Sequence, residues 1–202
     1  MNHGLLQLTD RPQWTTVVGG CRNYVEKALA RVINKYLKEP VQWVIPTERG
    51  VQITTSHRKE DFDACIICTH PPQPIAMLAD ADTETRSVLS CFQYQPNTAV
   101  VHTDEAALPP KRAWAAWNYR LCNQMDQSAA VTYCMHIVQR LPKDAPTFCV
   151  TLNNSAAINP HKVLGRFEYD HPVFSLEGMA AQQRWGDING VMDTWYCGAY
   201  WH

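Results

Sequence analysis

The residues best placed to do chemistry are Gly19-Gly20-Cys21, which stand between a short β-prone run, Thr15 to Val18, and the strongest helical pattern in the chain. Glycines at such a junction let the backbone approach a ligand closely and offer N–H groups at a helix N-terminus. A Gly-Gly turn also serves structure alone, and the GxGxxG fingerprint of dinucleotide binding is absent. Cys21 sits where a helix dipole lowers a thiol pKa, although a small packing residue would fill the same place. Cys65-Ile66-Ile67-Cys68 has the CxxC spacing but falls in an apolar run that reads as a strand, where residues three apart face opposite sides. With no second CxxC and no His pair at zinc spacing, no metal site is expected. His3, His70, His102, His136, His161 and His171 are dispersed, with no HExxH or comparable spacing. His102 and Asp104 form either a same-face pair or a solvated strand end, and no catalytic acid or base can be assigned. The aromatic run Trp114-Ala115-Ala116-Trp117-Asn118-Tyr119, with Trp195, Tyr196, Tyr200 and Trp201, suits either a cavity for a planar or apolar ligand or plain core packing.

These groups must be positioned by a chain of 202 residues, 46% hydrophobic, which is long enough for one substantial core. A single globular domain over residues 1–202 is expected. A formal net charge of −1, with Lys and Arg scattered among the acids, leaves no basic stripe for a phosphate backbone, so nucleic acid is not expected as a partner. No apolar run approaches the roughly 20 residues of a membrane helix, and no signal-like N-terminus is seen, so the expected location is cytoplasmic and away from membranes. The eight cysteines lie in apolar runs, as at Cys65, Cys68, Cys134, Cys149 and Cys197, and read as reduced, buried small hydrophobes.

Periodicity predicts a helix from Asn23, a plausible N-cap, to Leu37, stopped by Pro40. A turn at Asp10-Arg11-Pro12 precedes it. Strands are predicted at 41–45 and 51–55 about a turn at Arg49-Gly50, then at 64–68 as a strand buried on both faces. Two helical pieces follow within 73–91, separated at Asp80-Ala81-Asp82. Further strands are expected at 92–103, interrupted at Pro96-Asn97, and at 114–119, 148–152, 163–169 and 194–200. Residues 129–141 pass from β-prone to helical, and 175–184 read as a helix. The fold class is α/β (α+β), a mixed β-sheet with flanking helices. The final run, from Trp195 to a Gly198-Ala199 turn, reads as the start of a nucleotide-binding turn that continues beyond the chain.

Several segments together carry a resemblance: Asn2-His3-Gly4-Leu5-Leu6, Arg11-Pro12-Gln13-Trp14, Val18-Gly19-Gly20-Cys21-Arg22-Asn23-Tyr24-Val25, Phe62-Asp63-Ala64, Trp114 to Tyr119, Thr151-Leu152-Asn153, His171-Pro172-Val173-Phe174 and Gly198-Ala199-Tyr200-Trp201. Over nearly the whole chain the sequence resembles a bacterial family of FAD-dependent oxidoreductases described as amine-oxidase-like NAD/FAD-binding proteins. The family tends to have Ser at the place of Cys21. The resemblance implies a flavin amine oxidase-like fold in which this chain is mainly the substrate-binding domain, with partial FAD-domain elements at about 15–70 and 193–202. The N-terminal Rossmann motif and the C-terminal flavin-closing segment are expected to lie outside it. By the same resemblance Gly19, Gly20 and Cys21 are flavin-proximal candidates, Val44 lies on a strand that reaches the adenine side, and Trp117, Asn118 and Tyr119 line the substrate cavity. FAD is implied for the full-length parent, with no flavin retained by this chain alone, and the small-molecule substrate is left open. Two alternatives stand beside this reading. One is a non-catalytic small-molecule-binding or interaction domain with an aromatic-lined cavity. The other is a homodimer formed through exposed sheet edges.

Overall fold

The computed structural model describes Thr9, Gln13, residues 15–120 and residues 130–201. His3, the Asp10-Arg11-Pro12 turn and most of the first two resemblance segments lie outside the described residues. In chain order the elements are α1 (Arg22–Leu29), β1 (Val41–Thr47), β2 (Gly50–Thr55), β3 (Lys59–Phe62), β4 (Cys65–Ile67), α2 (Pro72–Met77) and α3 (Thr83–Ser90). They continue as β5 (Gln93–His102), β6 (Trp117–Arg120), β7 (Ala130–Cys134), α4 (Met135–Val138), β8 (Cys149–Leu152), β9 (Val163–Val173), α5 (Leu176–Gln182), α6 (Trp185–Ile188) and β10 (Thr194–Tyr196). Helices and mixed sheets together give the α/β class that the sequence predicts. The residues gather into two compact units, 1–93 with 172–202 and 94–171.

In the first unit, β1, β2 and β3 form an antiparallel meander. The turn at Glu48-Arg49 is followed by Gly50 at φ +121, where a Cβ would overlap the Phe62 carbonyl oxygen, so only glycine lets β2 run this close to β3. β4 and β10 pair in parallel, Cys65 with Thr194 through Ile67 with Tyr196. Helix α3 starts where Asp82 accepts hydrogen bonds from the Thr85 N–H and hydroxyl, at 2.8 and 2.7 Å. That start puts Val88 and Leu89, both fully buried, on the inner face. Phe92, Tyr200 and Trp201 close the core, the Phe92 ring standing edge-on to both others at 5.1 and 5.0 Å, each such pair adding about 0.5–1.5 kcal/mol beyond its burial.

In the second unit, one five-stranded sheet runs in the order β6-β7-β8-β5-β9. The pairs β6–β7, β7–β8 and β8–β5 are antiparallel. Its core includes Ala99, Val100, Val131, Cys134 and Cys149, with Trp114 packed against Leu108 and the two cysteines.

Several expectations are corrected. The predicted helix 23–37 ends at Leu29, and Cys21 rather than Asn23 holds the N-cap position. Its apolar stripe finds no cover: Ile33 is 94% and Leu37 85% exposed, and helices this short hold together mainly by packing. Downstream, Lys38 adopts φ +59 and the Arg58 guanidinium takes over the chain. Arg58 grips both Glu39 carboxylate oxygens, at 2.8 and 2.7 Å, and stacks 3.1 Å over the Tyr36 ring. The Arg58 hydrogen bonds hold the Glu39 carboxyl below its usual range. The run 15–18 forms no strand, and β3 was not foreseen. Strand β4 is not buried on both faces, since Ile66 is 66% exposed. Of the cysteines among the described residues, only Cys134 and Cys149 are buried; Cys21, Cys68 and Cys197 are exposed. The predicted last strand stops at Tyr196 and gives way to a 3₁₀ turn over Ala199–Trp201.

Candidate functional site

The Gly19-Gly20 turn is built by two consecutive left-handed residues, at φ +79 and +88, a conformation glycine adopts without strain. It is closed by the Gly20 N–H on the Val17 carbonyl at 3.0 Å and by the Asn23 side-chain amide on the Val18 carbonyl at 2.9 Å. A Cβ at Gly19 would collide with the Asn23 side chain, whereas one at Gly20 would meet nothing within 4 Å. Gly20 therefore presents bare backbone to open space. No side chain caps the α1 N-terminus, and Cys21 stands exposed at its first turn. A flat group could lie against this backbone, which fits the edge of a flavin ring. The turn offers no charged side chain or glycine-rich cradle for a pyrophosphate.

Val44, the fourth candidate, is 1% exposed in the middle of β1 and bridges in parallel to Leu78. Its side chain is buried, in contrast to the exposed turn. A recess of about 240 Å³, solvent included, lies near this bridge, lined by Pro46, Leu78, Asp82, Thr85, Thr194 and Tyr196. Its enclosed part holds no more than about a water molecule, far less than a ligand pocket needs. Burial, with the nearby Asp82 charge, pushes the Tyr196 hydroxyl up to about 12.

Trp117, Asn118 and Tyr119 lie on β6 in the second unit. Alternation along the strand puts Trp117 and Tyr119 on one face and Asn118 on the other. Asn118 is spent on structure: its amide nitrogen donates to the carbonyls of Ala115 and Thr132 at 2.7 and 3.1 Å, and its oxygen accepts the Ala115 N–H at 3.1 Å. Trp117 and Tyr119 are 46% and 63% exposed. The Trp117 ring meets Tyr133 edge-on at 6.2 Å, across the β6–β7 register. Tyr133 was missed in the sequence, although the alternation of Ala130-Val131-Thr132-Tyr133-Cys134 was a signal that could have placed it. Of the other aromatics of the predicted cluster, Tyr196, Tyr200 and Trp201 are buried in the first unit.

His102 and Asp104 are a buried pair, not a solvated strand end, at 0% and 4% exposure. They are not an acid–base dyad either. The Asp104 backbone N–H donates to His102 Nδ1 at 3.0 Å, so the ring proton sits on Nε2 and reaches Thr151 Oγ1 at 2.8 Å. Thr151 in turn meets Thr132 at 2.8 Å. The Asp104 carboxylate faces away, to the Asn159 N–H and Lys162 Nζ, both at 3.0 Å. The Asn159 bond, with Lys162, lowers the Asp104 pKa, while burial lowers that of His102. Among the described residues no cluster of His, Cys, Asp and Glu could hold a metal ion. None of the helices among them is long and apolar enough to cross a membrane.

No protein-family model and no curated protein matches the sequence. Solved structures do match the fold. A protein described as a protoporphyrinogen oxidase from Exiguobacterium superposes with a TM-score of 0.60 at 12% identity, over 92% of this chain and 47% of its own. Putrescine oxidase bound to putrescine gives 0.59 at 11% identity, over 91% and 49%. A fatty acid isomerase from P. acnes that produces CLA gives 0.58 at 13% identity, over 89% and 47%. At 11–13% identity these likenesses show a shared fold. The chain spans about half the length of each of these structures.

Proposed function

We propose that the chain is part of an FAD-dependent oxidoreductase of the amine-oxidase-like kind, with its substrate-side elements in the second unit and part of its FAD side in the first. The observation that carries this reading is the extent of the fold likeness: alignments covering 89–92% of the chain necessarily include both units. Gly19, Gly20 and Cys21 would meet the flavin through bare backbone, and Val44 would support the strand that reaches its adenine side. Trp117 and Tyr119, with Tyr133, would offer an aromatic face to a small apolar or planar substrate, and Asn118 would hold the turn that presents them. Bound FAD would supply hydride acceptance, while these residues orient the substrate and exclude water. Since the turn lacks a pyrophosphate cradle, the chain alone is expected not to retain FAD.

The test is a preparation of this chain beside one extended at both ends, each titrated with FAD by fluorescence quenching. A colourless short chain and tight, saturable quenching by the long one is the expected pair of results. Failure of both to bind would overturn the reading and leave the aromatic face of β6 and β7 as a binding surface of another kind.

A further inference from the structure

Among the described residues two pairs of cysteines face each other across neighbouring strands, and burial sets them apart. Cys134 and Cys149 are direct partners in the antiparallel β7–β8 register, both at 0% exposure. Burial, with the neighbouring Cys134, pushes the Cys149 thiol up to about 12, and full burial keeps both sulfurs out of reach of oxidants. The other pair lies at the open end of the parallel β4–β10 ladder. Its last paired residues are Ile67 and Tyr196, and the Cys197 N–H continues the ladder onto the Ile67 carbonyl at 3.0 Å. Cys68 and Cys197 are therefore the next residues on neighbouring strands. Both are exposed, the Cys68 Sγ lies 4.0 Å from the Ile66 carbonyl oxygen, and Cys197 is close enough to help raise the Cys68 thiol pKa. Adjacent strands run about 4.7–4.9 Å apart, inside the Cα separation of about 4.4–6.8 Å that a disulfide requires.

We propose that Cys68 and Cys197 are a redox-modifiable pair whose disulfide fastens the C-terminal strand β10 to β4. With a low-molecular-weight disulfide such as oxidised glutathione as the oxidant, one thiolate attacks a glutathione sulfur and releases one reduced glutathione. The second protein thiolate then attacks the mixed disulfide at the protein sulfur and releases the other. The protein loses two hydrogens and two electrons, and one glutathione disulfide becomes two thiols. The bond would close residues 68–197 into a loop that contains all of the second unit's sequence, the long-loop case in which cross-linking restricts the unfolded chain most. Burial and the neighbouring Cys197 push the Cys68 thiol up, so closure is slow at neutral pH and quickens as the solution becomes alkaline. The inference is independent of flavin binding.

The experiment incubates the 202-residue chain in reduced and oxidised glutathione buffers, blocks free thiols, and maps disulfides by peptide mass. A Cys68–Cys197 linked peptide should dominate, vanish in Cys68→Ser and in Cys197→Ser, and persist in Cys65→Ser. The thermal midpoint of the oxidised wild-type chain should rise by about 5 °C or more, and those of the two non-linking variants should not. Glutathione adducts without a cross-link, a Cys65–Cys68 bond instead, or no change of mass would each overturn the proposal.

Discussion

The segment 15–38 and the seam where β8 pairs with β5 and β7 differ in how strongly the sequence is patterned, and the structure covers the less patterned of the two. The segment has the clearest apolar periodicity in the chain, yet every one of its described residues is exposed. The seam has ordinary strand patterning, yet it seals His102, Thr132 and Thr151 away from solvent in a chain of hydrogen bonds. Periodicity states which side chains could be covered together. It does not supply the partner that covers them, and without one a short helix gains little from its apolar face. Buried polar groups are under the opposite constraint, since each lost partner leaves a desolvated group unsatisfied.

The contrast predicts an ordered set of effects. His102→Ala opens a cavity, strands the Asp104 N–H and takes one of the two partners of the Thr151 hydroxyl, and should cost about 3 kcal/mol or more in urea unfolding. Because burial lowers the folded-state pKa of His102, the unfolded chain binds a proton that the folded chain refuses. The stability of the neutral ring is thus complete above the unfolded value, about 6.5, and is lost as pH falls below it toward the folded value. Thermal midpoints measured downward from about pH 7.5 should show this decline in the wild type and much less of it in His102→Ala. Thr151→Val, which keeps the shape but removes a hydroxyl shared by two partners, should cost about 1–3 kcal/mol. Gly20→Ala forces a side chain into a left-handed turn and should cost about 1 kcal/mol locally, with a larger effect on FAD binding by the extended protein than on global unfolding. Ile33→Ser, on the uncovered stripe, should change stability by less than about 0.5 kcal/mol. A large loss at Ile33, or none at His102, would erase the distinction between the two regions.

Local signals made much of the fold legible. The β1–β2 hairpin follows from the turn at Arg49-Gly50, α2 and α3 from Pro71-Pro72 and the Asp82 cap, and α5 from Ser175, which accepts the Gly178 N–H at 3.0 Å. Contacts distant in sequence were hidden. Nothing near Tyr36 announces that Arg58, on the approach to β3, will hold residues 36–39 out of a helix. Nothing near Cys68 shows that Cys197 will arrive beside it. At the candidate site, the strand run at 117–119 and the Gly-Gly turn could be read directly, since both are short-range patterns. The assignment of Asn118 to holding a turn could not, because Thr132 and the Ala115 carbonyl claim its amide only once β6 pairs with β7.

The proposed place of this chain in a flavoenzyme is tested most directly by FAD titration of the 202-residue chain beside an extended version. Saturable quenching by the extended protein alone, weakened by Gly20→Ala, is the result predicted. Absence of binding in both would contradict it.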